Sequence, residues 1–308
     1  MSANSAFDAV GILPVVDILD NPELLEEAVT ELLEGEQAYK LLFEKHDVNA
    51  RAIAYHQDTA PGLDRQVQVV PEFGEIPVAD PHAGEEKFAK LEKDAIGIRV
   101  SYEQRSDNDS KAVQRELKAR AREIARGNAN RAVNALNKAD ITEFPVTAPW
   151  DTEGAEALTD LYLANELIVG AKDNDGNAFD YEGNVLWVSK KTASVLKRNE
   201  EVRAAYVGDM ASENPLFKSI SEQPLLAGQF QIATDNSIPD GEGYLFAEGR
   251  VGSEFQIEDP IFTPFYEEGG QSGYGGPTMS WRSDYVHERA LAVRAPKSIV
   301  KMTGLLSD

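Results

Sequence analysis

Apolar and polar positions along the chain change period several times, and each change marks an element. Between Asp20 and Glu36, Leu24, Leu25, Val29, Leu32 and Leu33 fall on one face of a helix. Asp20, Glu23, Glu26, Glu27, Glu31, Glu34 and Glu36 fill the rest, with no basic residue among them. Asn21 suits the N-cap and Pro22 the first turn. Gln37 to Pro61 shows no period and reads as an extended arm. Arg65 to Val78 is rich in Val, Ile and Phe but broken by Pro71 and Gly74. Ile96, Ile98, Val100 and Tyr102 then alternate with Gly97, Arg99 and Ser101, the period of a strand. Together these predict two strands flanking a charged tip, Ala79 to Asp94, that contains Glu85-Glu86-Lys87. A two-stranded ribbon alone is only marginally stable in water, so it is expected to rest on another chain.

A long helix follows, with Asp107, Asn108 or Asp109 as its cap. Val113, Leu117, Ala121, Ile124, Ala132, Ala135 and Leu136 make a narrow apolar stripe. Gly127 weakens it by about 1 kcal/mol relative to alanine. From Trp150 the texture becomes α/β. Asp151 or Thr152 is expected to cap a helix through Ala155, Leu158, Leu161 and Leu167, and Val185-Leu186-Trp187-Val188 reads as a buried strand. Ser189 caps a helix from Thr192 to Ala205, and Gln229 to Ala233 and Gly243 to Ala247 read as two more strands. Phe255 to Phe265 and Met279 to Val293 read as two long strands joined by a mobile, glycine-rich loop, Glu267 to Pro277. No internal repeat is visible.

Charge changes this picture at one place. The formal net charge is −23, yet Lys111 to Lys138 holds eight basic and two acidic residues, a local +6 against −29 elsewhere. One helix is therefore a positive bar in an acidic protein. The bulk of the surface repels phosphates, which argues against nucleic-acid binding by the average surface. The helix is expected to pack near the acidic Asn21 to Glu36 helix, of its own chain or a neighbour's, with Arg120 and Arg122 in the pairing. At 308 residues, 42% hydrophobic and 27% charged, the chain is an ordinary folded protein with room for two domains. It has no cysteine, which excludes disulfide scaffolds and thiolate metal sites. No signal-peptide pattern opens it, and no apolar run is long enough to span a bilayer.

Catalytic patterns are missing. There is no phosphate-binding loop, dinucleotide fingerprint, zinc-protease helix or nucleophile elbow. Asp173, Asp175, Asn177 and Asp180 cluster like calcium ligands, but the sixth and twelfth positions counted from Asp173 are Ala178 and Asn184, where that loop needs Gly and Glu. A polar turn is the plainer reading. His46, His56, His82 and His287 show no metal spacing, and Asn108-Asp109-Ser110 is an idle sequon. No cofactor is expected.

The order of parts resembles the major capsid proteins of tailed bacteriophages, the Hong Kong-phage-type capsid fold. The resemblance runs from about Gly62 to Leu305. It rests on the loop, the strand Ile96-Gly97-Ile98-Arg99-Val100-Ser101-Tyr102-Glu103, the long helix, Val185-Leu186-Trp187-Val188-Ser189, Pro224-Leu225-Leu226-Ala227-Gly228 and the closing Arg289-Ala290-Leu291-Ala292-Val293-Arg294-Ala295-Pro296. No single piece is specific; their order and spacing together are. The resemblance implies an α+β fold with an N-terminal arm (1–61) and an extended β-hairpin loop (62–100). It further implies a peripheral domain with a long spine helix (101–149, helix 109–138, returning at 250–290), and an axial α/β domain (150–249) to which the tail (291–308) returns. It implies a structural protein, not an enzyme, that joins itself into hexamers and pentamers of an icosahedral head around double-stranded DNA, without sequence-specific binding and without a membrane. Assembly in the host bacterial cytoplasm, residence in the virion capsid, and scaffolding, portal and decoration proteins as partners follow from the same resemblance.

Assembly contacts are expected at Glu85, Glu86, Lys87, Arg115, Arg120, Arg122, Glu267, Glu268 and Tyr274. The short arm is expected to carry no cleaved prodomain. Lys87, Lys90 and Lys93 are available as amines for an isopeptide bond, but no asparagine follows Asn236, so no such cross-link is expected. Two other readings stand beside this one. The first is an encapsulin-type compartment shell of the same fold. The second is a carboxylate hydrolase using Asp173 or Glu182, which no motif pairs with a base or nucleophile.

Overall fold

The computed structural model describes residues 6–34, 38–61, 68–80, 84–173, 176–204, 226 and 229–307. The segment Pro224 to Gly228, apart from Leu226, lies outside the described residues, as do Asp175 and His82.

Three helices open the described chain: α1 (Ala6–Val10), α2 (Val15–Leu19) and α3 (Pro22–Glu34). Asn21 Oδ1 accepts the Leu24 N–H at 3.3 Å, which is the N-cap expected of it. The arm expected over 37–61 instead holds regular elements among its described residues, 38–61. A 3₁₀ turn leads into β1 (Phe43–Asp47), and β2 (Ala52–His56) follows. Neither strand has more than two large apolar residues, so neither carries a period, and each exists because a partner strand supplies its hydrogen bonds.

That partner overturns the expected ribbon. β2 pairs antiparallel with β3 (Glu86–Lys90), and residues 68–80 form no strand. The charged run lies in or beside a paired strand and not at a hairpin tip. Pro71 and Pro77 lack the N–H a ladder needs, which explains why so apolar a segment stays unpaired. β4 (Glu92–Ser101) leaves the ribbon and runs antiparallel to β12 (Ser280–Val293) along ten residues.

β12 organises a six-stranded sheet. Its second edge carries, in turn, β11 (Tyr266–Glu267), β10 (Ile261–Phe262) and β9 (Gly252–Gln256), and β1 lies parallel outside β9. The long strand expected over Phe255 to Phe265 is therefore two, broken near Asp259-Pro260. Ser101 ends β4 and opens α4 (Tyr102–Ser106) with a complete capping box: its hydroxyl accepts the Gln104 N–H at 3.1 Å and the Gln104 carboxamide accepts its N–H at 2.8 Å. Asp109 then caps α5 (Ser110–Lys138), accepting the Ala112 N–H at 3.0 Å.

The second sheet has five strands. β5 (Thr142–Pro145) and β8 (Glu242–Phe246) flank β13 (Ile299–Thr303), and β6 (Val185–Val188) joins β8 to β7 (Gln231–Thr234). α6 (Ala157–Val169) begins later than expected; Glu156 sits at its N-cap without a side-chain bond. α7 (Lys190–Leu196) is capped by Ser189, and the helix expected to reach Ala205 breaks before α8 (Glu200–Ala204), where Asn199 Oδ1 accepts the Glu201 and Val202 N–H groups.

The core has three parts. α1–α3 and the first half of α5 pack on the six-stranded sheet around Val113, Leu117, Trp281 and Tyr285. α6, α7 and α8 cover one face of the five-stranded sheet. The second half of α5 covers its other face and joins the two sheets through Leu136, Trp187, Tyr244 and Val293. β6 alternates between the last two: Leu186 and Val188 face one, Val185 and Trp187 the other. Burial on both faces is why that strand reads as an unbroken apolar run.

Candidate functional site

The residues singled out from the sequence fall on three surfaces. On the ribbon, Glu85 and Glu86 are exposed, and the Lys87 ammonium lies 3.7 Å from the Glu85 carboxylate. Beyond this pair the ribbon and its approach are apolar to a degree no isolated chain tolerates well. Val69 and Phe73 are about fully exposed (101% and 99%), and Ile76, Val78 and Phe88 are each more than three-quarters exposed (79%, 78% and 76%).

On the loop after β11, Glu267 and Glu268 have different tasks. The Glu267 carboxylate accepts the backbone N–H of Ser272 and, at 3.1 Å, its hydroxyl. Partial desolvation opposes, but these and the neighbouring glycine N–H groups outweigh it and hold the acid below the usual carboxylate range. The Ser272 hydroxyl in turn accepts the Tyr274 and Gly276 N–H groups. The loop is thus folded around its own acid. Gly275 (φ 89°) is required there, since a Cβ would stand 2.3 Å from the Ser280 nitrogen. Glu268 bridges Arg99 (2.6 Å) and Arg282 (3.0 Å), and Arg282 also pairs with Asp284 at 2.7 Å. Exposed Tyr274 lies against the Tyr102 ring, centroids 6.2 Å apart.

On α5, Arg115 and Arg122 are exposed, whereas Arg120 is 2% exposed. The Arg120 guanidinium turns to the sheet, donates to the Ser283 hydroxyl at 3.1 Å and lies over the Phe262 ring, leaving Nε and Nη2 without a partner. Burial brings it down to about 10, and Asp284 only partly offsets this. Arg120 therefore lies inside the chain, away from any neighbour's surface. Its spacing held the signal, because it stands three residues after Leu117 and four before Ile124, on the buried face. α3 does pack against α5, as expected, but through apolar side chains, and no ion pair joins the two among the described residues.

Two features escaped the sequence reading. α6 presents Tyr162, Leu163, Leu167 and Val169 to solvent; its two faces are both apolar, so periodicity showed only a helix. The other is a buried ionic hub around Arg289, 1% exposed. Its guanidinium reaches Glu254 (2.9 Å), Asp94 (3.3 Å), the Tyr39 hydroxyl (3.3 Å) and Asn128, and Arg131 shares Asp94 at 2.9 Å. Burial would depress Arg289, but Tyr39 and Glu254 hold it above its ordinary range. The hub ties β12, β9, β4 and the 3₁₀ turn to the middle of α5.

Asp173 accepts the Asn177 backbone and side-chain amides, as a polar turn does. Among the described residues no group of His, Asp and Glu is placed to hold a metal, and no helix is long and apolar enough to cross a membrane.

The fold is shared at low identity with chains from phages and a virus-like particle. The virus-like particle from Pyrococcus furiosus is 12% identical with a TM-score of 0.55, over 91% of this chain and 98% of that one. The capsid of the cyanophage P-SCSP1u is 11% identical with a TM-score of 0.56, over 87% and 88%. A chain of Mycobacterium phage Che8 is 14% identical with a TM-score of 0.54, over 91% and 92%. No curated protein sequence matches. The family model for phage capsid protein matches residues 84–301, from the ribbon strand β3 to β13. With an α+β fold of the phage-capsid kind and a capsid-like structural role, the chain belongs to the phage capsid protein family.

Proposed function

We propose that the chain is the major shell subunit of a tailed-phage head, joining copies of itself into hexamers and pentamers of an icosahedral capsid around double-stranded DNA. In this reading α5 is the spine helix and the six-stranded sheet with it is the peripheral domain. The five-stranded sheet with α6 and α7 is the axial domain, and β2, β3 and residues 68–80 form the extended loop. The subunit is made in the host cytoplasm and ends in the virion, with scaffolding, portal and decoration proteins as partners.

One observation carries the reading: the apolar surface left bare. Val69, Phe73, Ile76, Val78 and Phe88 on the loop, and Tyr162, Leu163, Leu167 and Val169 on α6, are exposed at two separate places. A subunit needs two such places to contact neighbours on more than one side. Glu85, Glu86 and Lys87 flank the first, and Glu267, Glu268 and Tyr274 offer a third contact at the end of the large sheet. A compartment shell of the same fold holding protein cargo is the second reading; the Pyrococcus furiosus chain, matched over 98% of its length, forms a virus-like particle and not a named phage head.

Negative-stain electron microscopy of the purified protein tests the proposal. Closed shells with a hexamer and pentamer lattice, containing nuclease-protected DNA, are the expected result. Shells that contain a protein and no DNA move the assignment to the compartment. A protein that stays monomeric under every assembly condition refutes both.

A further inference from the structure

Two neighbouring helices turn charged rows of opposite sign to solvent. On α5, Lys111, Arg115, Lys118, Arg122 and Arg126 are all exposed. Their steps of three or four residues keep them on one face, in a row about 22 Å long at 1.5 Å per residue. On α3, Glu23, Glu26, Glu27 and Glu31 are exposed in a shorter row about 12 Å long. The helices share an apolar seam that includes Val29, Leu117 and Ala121. Among the described residues the two rows do not pair with each other. Arg126 stands 4.0 Å from Glu123 of its own helix, Lys118 lies over the Phe7 ring, and Glu31 accepts the Phe7 N–H. Lys111, Arg115, Arg122, Glu23, Glu26 and Glu27 make no ion pair there.

We infer that this face is self-complementary: the cationic row of α5 on one subunit seats against the anionic row of α3 on a second copy. Two observations favour a second copy over a nucleic acid. The rows are opposite in sign within one chain, so a two-fold arrangement sets the α3 row of each copy against the α5 row of the other. A polyanion laid along α5 meets the glutamates of α3 beside it and a chain of net charge −23 around it. The contact is electrostatic and solvent-accessible, so it selects partner and register more than it adds affinity, and salt weakens it.

The inference rests on the shell reading and deepens it by naming one subunit contact. The test uses the full chain and three variants: Arg115→Glu with Arg122→Glu, Glu23→Lys with Glu27→Lys, and all four together. Assembly is followed by light scattering at about 50 mM and about 1 M salt. Each double variant is expected to need at least a tenfold higher protein concentration than wild type at low salt, with the gap closing at high salt as the Debye length falls to about 3 Å. The fourfold variant, and an equal mixture of the two double variants, are expected to return to within threefold of wild type. Double variants that assemble like wild type overturn the pairing while leaving the shell reading intact, as does a fourfold variant no better than the doubles. Loss of binding to a short DNA duplex in Arg115→Glu with Arg122→Glu, with assembly unchanged, assigns the row to a polyanion instead. Wild-type protein that never assembles overturns both readings.

Discussion

Two buried arginines with opposite surroundings give a sharp test of the packing. Arg289 and Arg120 are 1% and 2% exposed, so the same change to methionine removes a similar amount of buried side chain from each. At Arg289 the change strips Glu254, itself buried, of its partner at 2.9 Å, and also removes bonds to Asn128 and Tyr39. An uncompensated buried charge of this kind costs about 3–5 kcal/mol. At Arg120 the change gives up a bifurcated bond from Nη1 to the Ser283 hydroxyl at 3.1 Å and carbonyl at 3.4 Å, worth about 0.5–1.5 kcal/mol net. In exchange it frees the fold of two unpartnered guanidinium nitrogens, whose desolvation costs about 1–3 kcal/mol. Arg120→Met is therefore expected to be neutral or stabilising by about 1 kcal/mol, and Arg289→Met to be less stable than it by at least about 3 kcal/mol. Urea unfolding of the dissociated subunit at pH 7 measures the difference, read as a shift in midpoint at constant slope. Adding Glu254→Met to Arg289→Met replaces the pair by apolar groups and should recover most of the loss. Equal midpoints for the two single variants, or a double variant no better than Arg289→Met, would refute the assignment of these environments.

Burial pushes the His287 imidazole from 6.5 down to about 4, with Arg289 adding to the effect. The unfolded chain therefore takes a proton near pH 6.5 that the folded chain refuses until about 4. His287 contributes fully above pH 6.5, and about 3 kcal/mol is lost as pH falls to about 4. Subtracting the stability profile of His287→Gln should isolate that slope, and a flat difference would contradict it. A methyl group at Gly127 would meet nothing within 4 Å, so Gly127→Ala should raise subunit stability by up to about 1 kcal/mol in a thermal melt; a loss would mean the helix needs its flexibility there. Ser101→Ala breaks the capping box and should cost about 1 kcal/mol in the same melt. Leu163→Lys with Leu167→Lys changes only the exposed face of α6 and should block shell formation while leaving the subunit's circular dichroism unchanged; normal shells would remove α6 from the assembly surface.

The sequence by itself determined what depends on near neighbours. The span of α5, a cap for it among Asp107, Asn108 and Asp109, the cap at Ser189, the buried strand β6 and the alternation in β4 were all legible, because caps act over three residues and periodicity over a few turns. The order of these parts was also enough to point to the capsid fold. Pairing between distant segments was not legible. β2 finds β3 thirty residues on, β1 finds β9 two hundred residues on, and β4 pairs with ten residues of β12. A short strand such as Phe43–Asp47 has one apolar residue and no local reason to extend; its hydrogen bonds come from the strand beside it. Arg120 and Arg289 look like surface cations in the sequence, since charge is usually solvated. The spacing of Arg120 sets it on the apolar face of its helix, but only the tertiary structure supplied the partners that let both cations be buried, Ser283 to one and Glu254 and Asp94 to the other, because these come from strands far away in the sequence.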